Sequence, residues 1–262
     1  MNTAIETLAG TCLARRRALA WLGALPLAGG GCALPPEVLE RPAPDEVARV
    51  STAVADGRLP PGWEEYRVRR DIPPSRYFTA DDEGRTVLRA ESLRGSSALR
   101  CPVEADPLLR PWIEWSWRAE SVPLGARADE LELDDSPARV LLAFDGDIAA
   151  LPLRDRLFFE QVELFTGQRL PYATLMYVWD ATLALDRVVP YSRSGRIRSL
   201  VVRSGAEGLG AWQSHRRHIV EDFQRIFGEA PGRLVSVAVL TDADDLKQPM
   251  RADYGDIQLL GA

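Results

Sequence analysis

The chain of 262 residues is poor in the groups that carry most protein chemistry. Lys247 is the single lysine and sits in a polar stretch, so Schiff-base catalysis has one exposed nucleophile to draw on and is set aside. His215 and His218 are the whole supply of imidazole, and no G-x-S-x-G elbow accompanies them, which removes the usual frame of a serine hydrolase. Basic charge does not accumulate: 32 Lys and Arg against 38 Asp and Glu leave a net charge of -6, without the field that holds a phosphate backbone. Nucleic acid is excluded as a partner. No uninterrupted apolar run reaches the roughly 18 to 20 residues of a spanning helix, so membrane attachment requires a lipid anchor. Of the 3 cysteines, Cys12 and Cys32 lie in the N-terminal stretch, which leaves Cys101 without a partner in the rest of the chain. Cys101 reads as a small buried hydrophobe, and the domain is held by its core alone.

What is present begins with an export signal over residues 1–33. Arg15, Arg16 and Arg17 precede an apolar run from Ala18 to Ala28, interrupted by Gly23 and Pro26, and a small-residue zone from Gly29 to Ala33 follows. The arginines fit a twin-arginine or a general secretory route. Cys32 is a candidate lipidation site, the alternative being a soluble periplasmic protein cut after Ala33. Residues 34–61 carry Pro35, Pro36, Pro42, Pro44, Pro60 and Pro61 and read as a spacer, with a short helix from Asp45 through Val47, Val50 and Val54 to Gly57.

Residues 62–262 form the domain. Short apolar runs separated by Pro, Gly and Asp predict strands at Trp63–Val68, Thr86–Ala90, Trp112–Ala119, Ala138–Phe144, Thr174–Trp179, Ile197–Val202, Leu234–Leu240 and Tyr254–Leu260. The fold class is all-β dominated, a two-sheet, jelly-roll-like β-sandwich. In Trp112–Ala119 one face carries Ile113, Trp115, Trp117 and Ala119, the other Trp112, Glu114, Ser116 and Arg118. Ala138–Phe144 and Leu234–Leu240 are apolar on both faces, as central strands are. One long amphipathic helix is expected at 211–227 from the spacing of Trp212, Ile219, Phe223, Ile226 and Phe227, stopped by Gly228.

The segment from Ile197 to Leu240 has the order of a nucleotide-binding unit, but Gly205, Gly208 and Gly210 run G-x-x-G-x-G, the reverse of the dinucleotide fingerprint. His215, His218 and Asp222 share one stripe of the expected helix, either as a metal or acid–base cluster disfavoured by Arg216 and Arg217 or as a His218–Asp222 surface pair. Asp242, Asp244, Asp245, Asp253 and Asp256 crowd the last connection; Asp242, Asp244 and Asp256 are candidate ligands of a structural calcium ion, and a solvated turn is the alternative. Trp112, Tyr172 and Tyr191 are candidate ligand-binding residues, because flat rings beside polar groups hold sugars. Asp134, Asp135, Asp242 and Asp244 supply candidate catalytic carboxylate pairs. Arg139 offers a plainer use for Asp135, a buried ion pair at the sheet edge.

Several segments together resemble the bacterial family known as domain of unknown function 3047: Asp134 to Val140 before Phe144, Tyr177-Val178-Trp179, Trp212 with Asp222 and Phe227-Gly228, Thr241 to Asp245, and Tyr254 to Ile257. The likeness spans about residues 62 to 260, and the ending is also similar to the last strand of jelly-roll carbohydrate-binding modules. It implies a fold and a compartment rather than a reaction. The function expected is an exported envelope binding module for a glycan or cell-envelope component. The alternatives are a carboxylate-dependent glycan hydrolase or lyase and a partner-binding subunit of an envelope complex.

Overall fold

The structure, a computed structural model, describes residues 44–67 and 69–261. The export signal, Cys32 and the first part of the proline-rich stretch lie outside the described residues. Among the described residues twelve strands form: β1 Glu64–Tyr66, β2 Arg76–Asp82, β3 Arg85–Ser92, β4 Ala98–Ala105, β5 Trp112–Ala119, β6 Arg139–Phe144, β7 Ala173–Asp180, β8 Val188–Pro190, β9 Ile197–Ser204, β10 Gln213–His218, β11 Leu234–Leu240 and β12 Met250–Leu260. Two α-helices join them, α1 Leu153–Thr166 and α2 Ile219–Phe227. The strands make a seven-stranded sheet in the order β1-β4-β11-β6-β7-β9-β8 and a five-stranded sheet in the order β10-β5-β12-β3-β2. The chain crosses between the sheets at β1–β2, β3–β4, β4–β5, β5–β6, β9–β10, β10–β11 and β11–β12, so the expected two-sheet, jelly-roll-like sandwich is the fold.

The period-2 pattern of β5 does what it predicts: Ile113, Trp115, Trp117 and Ala119 are buried and their alternates are not. Trp115 stacks on Tyr177 of the opposite sheet with centroids 5.0 Å apart, and Trp117 approaches Trp179 at 6.4 Å. Two tyrosine hydroxyls of the five-stranded sheet reach across to the end of β11. Tyr77 Oη donates to Ser97 O and accepts from Thr241 N, and Tyr254 Oη donates to Leu240 O and accepts from Arg139 N. Each hydroxyl is buried and satisfied, as a buried polar group must be.

Three expectations are corrected. First, no helix forms between Asp45 and Gly57. Val47, Ala48 and Val50 instead enter the core, Trp63 Nε1 donates to Ala48 O at 2.8 Å, and Val54 is left 73% exposed. Second, the helix expected at 211–227 starts only at Ile219, capped by His218, whose Nδ1 accepts from Glu221 N. Residues 213–218 are an edge strand paired with β5, because the polar run Gln-Ser-His-Arg-Arg-His alternates inward and outward there. Third, α1 was not expected. Both of its faces carry apolar residues, so it has little of the one-sided pattern that marks a helix in a sequence.

Because the 47–50 stretch is core rather than spacer, Val50→Ala is expected to cost about 2 kcal/mol and lower the melting temperature by roughly 4 to 8 °C. Thermal melts of the two proteins check this; an unchanged midpoint would return the segment to a spacer.

Candidate ligand-binding groove

The outer face of the seven-stranded sheet carries a groove of about 860 Å3. Its floor follows from the sheet register. Ala98, Leu240 and Arg139 lie abreast in one cross-strand row, Arg100, Ala238, Leu141 and Met176 in the next, and Pro102, Ser236, Ala143, Thr174 and Ile197 in a third. All of these residues line the groove. This is why β6 and β11 are apolar on both faces: the inner face packs the sandwich and the outer face floors the groove. Tyr66, Phe158 and Tyr191 stand among the walls.

One end of the groove is charged. Arg139, buried in the central strand β6, donates through Nη2 to the carbonyl of Asp134 and to Asp134 Oδ1 at 3.0 Å, and lies 3.4 Å from Asp242 Oδ2. Asp242 Oδ1 also accepts from Ser136 N at 2.9 Å. Burial works against the Arg139 charge, but the attraction of Asp134 and Asp242 outweighs it and holds the guanidinium protonated. Burial raises Asp134 and Asp242 against the opposing pull of Arg139. The Nε of Arg139 has no partner. Asp135 does not pair with Arg139 as expected; it accepts from Asp245 N at 3.0 Å and Leu246 N at 2.7 Å and so caps the β11–β12 turn.

The structure brings Asp134, Asp242 and Asp244 to the groove wall together with Asp245, with Asp135 buried beside them. It does not bring Asp256 there. The chain bulges between Tyr254 and Ile257, and Asp256 on the five-stranded sheet accepts from Ser51 N at 2.9 Å and Ser51 Oγ at 2.6 Å. The calcium set Asp242, Asp244 and Asp256 is therefore corrected; the carboxylates that could share a hard cation are Asp135, Asp244 and Asp245, whose oxygens lie within 4.8 Å of one another. Burial and then repulsion from Asp244 and Asp135 push Asp245 up to about 6.

Of the candidate ligand-binding rings, Tyr191 lines the groove, 6.0 Å from Phe158. Tyr172 serves the framework: its hydroxyl donates to Glu229 at 3.0 Å and Arg196 lies over its ring. Trp112 faces outward on the five-stranded sheet, covered by Arg216 at 4.6 Å and met edge-on by His218. A second hollow of about 490 Å3 on that sheet is polar, lined by Glu114, Ser116, Ser214, Arg216, Asp256 and Gln258 among others. The His215, His218 and Asp222 cluster does not form. Asp222 is buried and held by Arg217 at 2.7 and 2.8 Å and by the Tyr177 hydroxyl at 3.0 Å, while His215 stacks inside on Trp115 at 4.9 Å.

The fold and site define a β-sandwich with a ligand-sized groove on the outer face of one sheet. The chain belongs to the family described as Protein of unknown function (DUF3047), which it matches over residues 61–258. A comparison with curated proteins found no match. Among solved structures it is similar to a carbohydrate-binding module specific for non-crystalline cellulose, CBM28, at 11% identity and a TM-score of 0.35, covering 84% of this chain and 97% of that one. It is also similar to the carbohydrate recognition domain of Emp47p, at 10% identity and a TM-score of 0.36, covering 83% and 95%. Among the described residues no helix is long and apolar enough to cross a membrane.

Burial, with Arg203 and Arg217 nearby, lowers His215 to about 4, below its unfolded value of about 6.5. The unfolded chain therefore binds the proton first, and stability is lost as pH falls from about 6.5 to 4, by on the order of 2 to 3 kcal/mol. Asp245, raised in the folded state, acts in the opposite sense over about pH 6 to 4. Denaturant melts across this range are expected to show a smaller acid loss in His215→Phe than in wild type; identical slopes would place His215 in water.

Proposed function

We propose that the chain is an exported, non-catalytic binding module of the cell envelope that holds a glycan or other envelope component in the groove of the seven-stranded sheet. The observation that carries this is the in-register floor, largely but not wholly apolar over three rows, with Arg139 and the carboxylates at one end. An apolar body lies on such a floor, while hydroxyls, which both donate and accept, suit an end that offers a guanidinium and carboxylates side by side. The export half of the reading rests on the arginine, apolar and small-residue order of residues 15–33.

A second reading, a carboxylate-dependent glycan hydrolase or lyase, draws on the convergence of Asp134, Asp242 and Asp244 at that end. Against it, Asp134 and Asp242 both face Arg139, which leaves Asp244 and Asp245 as the freer carboxylates.

Calorimetric titration of envelope glycans and their lipid-linked forms tests the proposal. Binding is expected to weaken at least about tenfold in Ala238→Trp, which fills the floor, and in Tyr191→Ala, which opens a wall, and to be unchanged in Trp112→Ala. Loss in Trp112→Ala alone would move the site to the five-stranded sheet. Release of shorter products, abolished by Asp244→Asn, would replace binding by catalysis. Mass spectrometry of the mature N-terminus is expected to show a chain beginning at or just beyond Cys32; an intact residue 1 on the exported protein would overturn the signal.

A further inference from the structure

Helix α1 has a role that the groove alone does not use. Its packed face carries buried Asp155 and Phe159, with Asp155 accepting from Ser194 Oγ at 2.7 Å and Gly195 N at 2.9 Å, so the helix is pinned to the loop between β8 and β9. The opposite face is open and carries a stripe of leucines among polar residues. Leu153, Leu157 and Leu164 are 61%, 54% and 79% exposed, and Phe165 beside them is 73% exposed. At about 100° per residue these three leucines fall within one narrow stripe, broken by Glu160. Solvent-facing leucines at this density mark an interaction surface rather than chance.

What meets that surface is indicated by its continuity with the groove. A hollow of about 780 Å3 runs along this side of α1, lined by Leu153, Leu157, Phe158 and Arg193 among others, and Phe158 and Arg193 also line the groove. The groove floor crosses five strands, β4, β11, β6, β7 and β9, which is about 19 Å at the usual strand spacing, and its side chains are largely aliphatic. Arg139 stands mid-sheet on β6 in the first row, its Nε buried without a partner beside carboxylates that accept hydrogen bonds, and Tyr191, 6.0 Å from Phe158, lies in the field of both Arg193 and Asp134, so the charged end is on the side of that opening. A long apolar trough with a polar end, opening beside an exposed leucine stripe, matches one molecule that has a chain and a head.

Building on the groove as the ligand site, we infer that its ligand is an acyl-chain amphiphile and that α1 rests its leucine stripe on a lipid surface from which the chain enters between Phe158 and Arg193. Charges around the stripe are of both signs, Arg154 and Arg193 against Glu160 and Glu163, so the contact is apolar and does not depend on anionic lipid.

The test uses the purified chain carrying Cys32→Ser, so that no acyl anchor contributes, with two probes: lysophosphatidylcholine below its micelle concentration, and phosphatidylcholine vesicles. Wild type is expected to bind the monomeric lysolipid and to float with the vesicles. Ala238→Trp is expected to lose lysolipid binding by at least about tenfold while still floating. The double variant Leu153→Glu, Leu157→Glu is expected to lose vesicle association by at least about tenfold while still binding monomer, because the substituted side chains are exposed and make no core contact. No lysolipid binding by wild type, or vesicle association unchanged in the double variant, overturns the inference. If lysolipid fails while a soluble oligosaccharide binds in a way that Ala238→Trp abolishes, the groove stands and the amphiphile falls. If neither ligand binds, both fall.

Discussion

The buried guanidinium of Arg139 is the constraint on which the groove depends. A charge placed in the middle of a sheet, away from water, is tolerated only where countercharge and hydrogen bonds are supplied by the surrounding chain. Here they come from two connections far apart in sequence, Asp134 before β6 and Asp242 after β11. Asp135 adds a second bridge by capping the turn that contains Asp244 and Asp245. The five-stranded sheet joins the same knot, because Tyr254 accepts from the backbone of Arg139 and meets Thr241 at 2.9 Å. One ionic requirement therefore fixes the polar end of the groove to both sheets.

The two outer faces of the sandwich differ for reasons of the same kind. On the five-stranded sheet, Arg89 and Arg118 converge on Asp253, Arg118 also reaches Asp82, and Glu114 pairs with Arg216, so that face is tiled with satisfied charges. On the seven-stranded sheet the central strands present Leu141, Ala143, Met176 and Ala238 outward. An apolar surface open to solvent in a hollow of this size is costly to keep unless something uses it. That asymmetry, more than any single residue, is what directs the functional reading to one sheet.

Much of the framework was legible in the residues. The alternation in β5, the doubly apolar central strands β6 and β11, and the stop at Gly228 each follow from local rules that the tertiary structure leaves intact. The failures have physical causes. Val47 and Val50 lie at helical spacing, but tertiary packing beneath Trp63 and the tie from Ser51 to Asp256 hold an irregular path there. Trp212 and His215 fall in phase with α2 although an edge strand precedes that helix, and only the residues from Ile219 onward belong to it. Asp256 is carried away from Asp242 by a bulge that no spacing rule anticipates. The groove itself was present in the sequence as apolar residues on both faces of β6 and β11, a pattern that also describes strands buried on both sides. Distinguishing the two required knowing that α1 covers only part of the sheet's outer face.

The central claim is that the outer face of the seven-stranded sheet is where ligand binds, and the methionines allow it to be tested directly. Met176 lies on the groove floor, whereas Met250 is buried at the start of β12 in the other sheet. With methyl-labelled methionine, titration of lysophosphatidylcholine followed by NMR is expected to shift the Met176 methyl resonance in a saturable way and to leave Met250 in place. A saturable shift confined to Met250, or ligand binding by calorimetry with Met176 unmoved, would contradict the account.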